Sequence, residues 1–132
     1  MATLTPKLTL TGSAADFGAA LALSETDTLT VTKPFQGLSS IDVTTTGGDC
    51  IIVAASATVA YIYVKHTGLQ GDGSTASTDN LDIEDGDNVA FARLAAGEWC
   101  FLPCNKAGVS KAIQLQATAN TILAEYAYFT KG

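Results

Sequence analysis

The chain has little with which to run chemistry: one histidine, three cysteines and one tryptophan in 132 residues. An odd cysteine count excludes a closed disulfide framework, and reduced, buried thiols are the expectation for Cys50, Cys100 and Cys104. Charge is scarce too, at 15% of residues against 47% apolar. The seven basic residues are dispersed and the net charge is −6, which excludes a nucleic-acid surface, since that needs clustered Lys and Arg. No run of about 18 apolar residues is present, which excludes a membrane-spanning helix. The opening MATLTPKLTLTG has neither a charged n-region nor an apolar h-region, so synthesis in the cytoplasm without a cleaved signal is expected. G-x-S-x-G and H-E-x-x-H are absent, and GLQGDG is followed by no lysine and opens no helix, so neither a P-loop nor a dinucleotide fingerprint is supported.

What the chain does have is strand grammar. VAYIYVKHT, residues 59–67, places Val59, Tyr61, Tyr63 and Lys65 on one side and Ala60, Ile62, Val64 and His66 on the other. AIQLQAT, 112–118, sets Ile113 and Leu115 opposite Gln114 and Gln116, which predicts a strand with one wet face. NTILAEYAYF, 120–129, is apolar on both faces, and TAN at 118–120 predicts a tight turn joining these two strands as a terminal hairpin. The same pattern predicts strands at 4–11, 17–23, 27–32, 38–45, 50–55, 88–94 and 98–104, separated by SETD, KPFQG, TGGD and AAG. Helix formers in ADFGAALALSE, 15–25, compete with that assignment, but Gly18 and the alternation of Phe17, Ala19, Leu21 and Leu23 favour a strand. About eight to ten short strands at even spacing predict an all-β fold, an antiparallel β-sandwich or jelly roll, in one domain over 1–132. Pro6 restricts the first strand to a sheet edge.

Residues 66–88, HTGLQGDGSTASTDNLDIEDGDN, read as a long Gly/Ser/Thr/Asp loop, mobile or functional. Six acids, Asp72, Asp79, Asp82, Glu84, Asp85 and Asp87, lie there with no base among them, while the rest of the chain balances seven acids with seven bases. The carboxylates at 82, 84, 85 and 87 could supply calcium ligands but match no EF-hand order, and solvated turns are the plainer reading. Cys100 and Cys104 share a strand face about 13 Å apart, too far for a disulfide at strand rise. A zinc site would need a second ligand pair, and only Cys50 and His66 are available. His66 reads as a strand-end histidine beside a glycine turn. No catalytic, cofactor or metal residue is therefore assigned.

PFQGLSSIDVTTTGGDCIIVAAS, followed by AYIYVKHTG and closing on GEWCFLPC and AEYAYFTKG, resembles the small structural proteins of tailed bacteriophages, above all capsid decoration (cement) proteins. The resemblance implies a non-enzymatic virion protein, a dimer or trimer on the capsid surface, that ties major capsid protein subunits together and stabilises the head. It transfers no catalytic or ligand residue. The residues expected to meet a partner are Leu4, Pro6 and Leu8 in the N-terminal segment 1–12, Leu69 and Gln70 in the long loop, and Trp99, whose strand face could be core or interface. Two alternatives stand beside this. One is a phage fibre-tip or receptor-binding domain using the 66–88 loop, with or without calcium, and the other an enzyme in which His66 and acids converge in one cleft.

Overall fold

A computed structural model describes residues 2–55, 59–106 and 111–131, and they form eleven strands and one four-residue helix. The chain groups into two compact units, Met1–Thr32 with Lys131–Gly132, and Lys33–Thr130.

In the first unit β1 (Ala2–Leu4) pairs antiparallel with the first residues of β4 (Leu29–Val43), Leu4 facing Leu29. The strand expected over 4–11 is interrupted at Pro6, and β2 (Lys7–Gly12) begins after it. A single helical turn, α1 (Ala14–Phe17), ends at Gly18, whose φ of 73° is the left-handed conformation glycine adopts without cost. The strand expected over 17–23 therefore starts late, as β3 (Leu21–Thr26), and pairs with β2 as a two-stranded antiparallel ribbon. KPFQG does not separate two strands as expected, because β4 runs through it. A proline φ near −65° is compatible with extended backbone and costs only a donor.

The second unit is an antiparallel β-sandwich. One sheet has the order β4, β11 (Ile122–Lys131), β6 (Val59–Gln70), β9 (Trp99–Lys106). The other has the order β5 (Cys50–Val53), β10 (Ile113–Ala117), β7 (Leu81–Asp85), β8 (Ala90–Leu94). Strict alternation turns Ile62 and Val64 of β6 and Ile122 and Ala124 of β11 toward Ile52, Val53, Leu81, Ile83, Ile113 and Leu115 of the facing sheet, and together they form one buried cluster.

Two expectations fail here for identifiable reasons. The 66–88 stretch is not one long loop: β6 extends to Gln70, and β7 lies inside the acidic run between β10 and β8. LDIED alternates, with Leu81 and Ile83 inward and Asp82 and Glu84 outward, but its carboxylates resemble turn composition. The predicted terminal hairpin also does not form. β10 pairs with β5 and β7, whereas β11 pairs with β6 in the other sheet, so 118–120 carries the chain across the sandwich. None of these three residues has the positive φ of the tight hairpin turns.

Replacing Leu115 or Ile62, both fully buried, by alanine is expected to lower stability by about 2–5 kcal/mol. Ile51→Ala, at a side chain 51% exposed on the same sandwich, should shift it by no more than about 0.5 kcal/mol. Urea unfolding at constant slope measures both.

Candidate functional site

The outer face of the β11, β6, β9 sheet is aromatic. With Ile62 and Val64 in the core, the register puts Tyr61 opposite Pro103 and Phe129, Tyr63 opposite Phe101 and Ala127, and Lys65 opposite Trp99 and Glu125, all pointing outward. Tyr61 and Phe101 stack with centroids 5.3 Å apart and planes within 9°. Phe129 leans on Phe101 at 6.4 Å, and Trp99 on Tyr63 at 6.4 Å. Trp99 is 55% exposed, so its strand face is surface and not core. Burial, the neighbouring Glu125 carboxylate and the Cys100 thiol push the Tyr63 hydroxyl pKa up, so it stays a neutral donor.

The ribbon of the first unit carries the second apolar face. Its register pairs Leu10 with Leu23, Gly12 with Leu21 and Leu8 with Glu25, which gathers four leucines on one side. Lys7, Thr9, Thr11, Ala22, Ser24 and Thr26 take the other side. Leu8, Leu10, Leu21 and Leu23 are between 36% and 44% exposed, and among the described residues no third strand pairs with the ribbon.

His66 and the acids of residues 72–87 each make specific hydrogen bonds or ion pairs. His66 is fully buried inside β6, which runs on to Gln70, and not at a strand end as expected; its Nδ1 accepts the Gly68 N–H at 3.0 Å. Nε2 then carries the proton and donates to the Asp79 carbonyl at 3.1 Å, so the imidazole ties the segment just before β7 to β6. The acids are distributed among separate tasks. Asp82 takes a bidentate Arg93 at 2.6 and 2.8 Å, and Glu84, buried, accepts from Gln114. Asp85 accepts the N–H groups of Asp87 and Val89, and these bonds together with Lys111 hold its carboxyl below the usual range. Lys111 bonds both Asp85 and Asp87. Among the described residues no three His, Cys, Asp or Glu side chains are placed to share a metal ion.

The three cysteines form no disulfide with one another, and Cys50 is buried. Cys100 and Cys104 are half-buried on the inner side of β9 against the core, and burial pushes the Cys100 thiol up, away from the reactive thiolate.

Of the residues expected to meet a partner, Leu4 is half-buried in β1 and Pro6 half-buried in the break after it. Leu8 lies on the leucine face of the ribbon. Leu69 and Gln70 are not on a free loop: both are half-buried at the end of β6, where Leu69 bridges Ala76 and the Gln70 N–H bonds the Thr75 carbonyl. Trp99 alone of the six joins the aromatic face. Sequence reasoning missed its companions Tyr61, Tyr63, Phe101 and Phe129, and the ribbon partners Leu10, Leu21 and Leu23. The signal for the tyrosines was present, since alternation grouped them with Lys65, but which side faced water was not readable. No protein-family model, curated protein or solved structure matches this chain, so function is argued from its own residues.

At the tip of the 71–76 turn, Asp72 accepts the Thr75 hydroxyl at 2.5 Å and the Thr75 and Ser74 N–H groups at 2.8 and 2.9 Å, which hold its pKa down to about 2. The ordinary aspartate value is about 3.9. A depressed carboxyl stabilises the fold fully above that value and loses the contribution as pH falls from about 4 to about 2. A carboxyl-carbon NMR titration should find the Asp72 midpoint near 2, with the Ser74 and Thr75 amides shifting together with it.

Proposed function

We propose that this chain is a non-enzymatic structural subunit, a decoration protein of a tailed-phage head that is made in the host cytoplasm and binds the major capsid protein lattice. The observation that carries the reading is the β2–β3 ribbon. Four leucines on one face are each 36% to 44% exposed, and among the described residues no third strand pairs with either ribbon edge. A two-stranded ribbon is marginal alone in water. Laying its leucines on a partner, with strand addition at an edge, stabilises both. Repetition over a lattice then converts modest single contacts into firm retention.

Sequence resemblance supplies the identity of the lattice, and the internal bonding of His66 and the acids supports binding over catalysis. The fibre-tip alternative draws less support, because the residues it would use are a paired strand and carboxylates already engaged.

Heads stripped of this chain and incubated with the purified protein should retain it at a fixed ratio to capsomers. Leu10→Asp with Leu23→Asp should lower retention at least about tenfold, because two carboxylates would be desolvated in the contact. Far-ultraviolet circular dichroism of unit-two signals and the melting temperature should stay near those of the parent, since both side chains are exposed. Equal retention of the variant would remove the ribbon from the contact, and absence of the parent chain from heads would remove the decoration reading itself.

A further inference from the structure

The aromatic face is a different surface on different residues, and its chemistry points to a different occupant. Three features constrain what covers it.

The rings form a packed ridge and not an open platform. Phe101 is engaged by both Tyr61 and Phe129, and Tyr63 is engaged by Trp99. A flat ligand such as a sugar ring would find few ring faces at its disposal. An interdigitating protein surface finds ridges and grooves, with Trp99 as the exposed anchor.

The charges of the face are self-complementary. Over Tyr61 to Lys65, Trp99 to Pro103 and Glu125 to Phe129, the outward residues include only two charged side chains, Lys65 and Glu125, placed opposite each other. They form a loose pair at 3.9 Å, with the side chains 38% and 31% exposed, so each retains capacity for another partner. The excess negative charge lies within residues 72–87, and a patch whose charges sum to zero adds no repulsion between copies. A two-fold axis through that patch sets Lys65 of each copy against Glu125 of the other, which is the reciprocal contact an isologous interface requires.

The third feature is the edge of the sheet. The Glu98 carbonyl accepts from the His66 N–H, so alternation directs the backbone groups of Cys100 and Leu102 toward β6 and those of Trp99, Phe101 and Pro103 away from it. Pro103 therefore deletes a donor from the outer side of edge strand β9, which works against growth of the sheet by strand addition there. Contact at this end of the sheet is favoured through the face.

We propose that a second copy of this chain covers the aromatic face about a two-fold axis running along the strands between β6 and β11, with Tyr61 and Phe129 beside the axis, Lys65 and Glu125 exchanging partners at one end, and Trp99 and Phe101 flanking the contact.

Sedimentation velocity of the full chain from about 1 μM to about 1 mM should show a monomer–dimer equilibrium. Lys65→Glu and Glu125→Lys, made singly, should each weaken dimerisation at least about tenfold, because symmetry places every like-charge contact twice. The double reversal K65E/E125K should return the constant to within about threefold of the parent, since it restores reciprocity between copies. Melting temperatures measured at monomeric concentration separate loss of the contact from loss of the fold. A chain that remains monomeric throughout overturns the proposal, as does a double variant as weak as the singles, which is the result for a partner other than a copy. Monomeric protein whose Trp99 emission shifts on titration with a neutral oligosaccharide overturns it in favour of a glycan surface. Dimers that persist in the Leu10→Asp/Leu23→Asp ribbon variant support the assignment to the aromatic face, and dimers lost in it overturn that assignment. Retention on heads is scored separately, so failure of either proposal is read without the other.

Discussion

The dry layer between the two sheets is the constraint from which the rest of residues 33–130 follows. Ile62, Val64, Ile83 and Leu115 are fully buried in one cluster, and each fixes the parity of its strand. Because side chains alternate with period two, a one-residue slip would carry every apolar group of a strand into water. Once Ile62 and Val64 point inward, Tyr61, Tyr63 and Lys65 have no choice but to point outward. On the facing sheet the same rule sends Asp82, Glu84, Gln114 and Gln116 away from the core. One sheet thus turns rings outward, while on the other Asp82, Glu84 and Gln114 are themselves buried and hydrogen-bonded.

The acids illustrate how a highly charged segment can be structural. Between Lys65 and Arg93 each carboxylate meets a donor: Asp72 its own turn, Asp79 the Asn120 amide, Asp82 an arginine, Glu84 a glutamine, Asp85 and Asp87 a lysine. Charge-assisted hydrogen bonds of this kind hold turns and strand edges in register. His66 contributes in the same way from the opposite sheet, with both ring nitrogens bound to backbone.

Uncovered apolar surface is grouped at two places, beside further exposed side chains at Leu38, Ile51, Val89 and Phe91. Four leucines line one side of the β2–β3 ribbon, and five aromatic rings line the outside of β6, β9 and β11. Grouping of this kind marks contact sites. Assigning the ribbon to a lattice and the ridge to a second copy gives a subunit with one heterologous and one isologous contact, a combination suited to a repeated surface.

Local pattern determined a good deal of this. The all-β class, most strand positions, the spacing that keeps Cys100 and Cys104 from pairing, and the grouping of Tyr61 and Tyr63 on one side were all legible, because alternation and strand rise are local properties. Strand β7 was hidden because acidic side chains disguised its alternation, and the Arg93, Gln114 and Lys111 donors that bond them are non-local. The placement of β10 and β11 in different sheets was equally out of reach, since adjacent strands pair or cross according to which partners bury them. Alternation states which residues share a face. Only the packing of one sheet on another decides which face is dry, and that is what placed Trp99 at the surface.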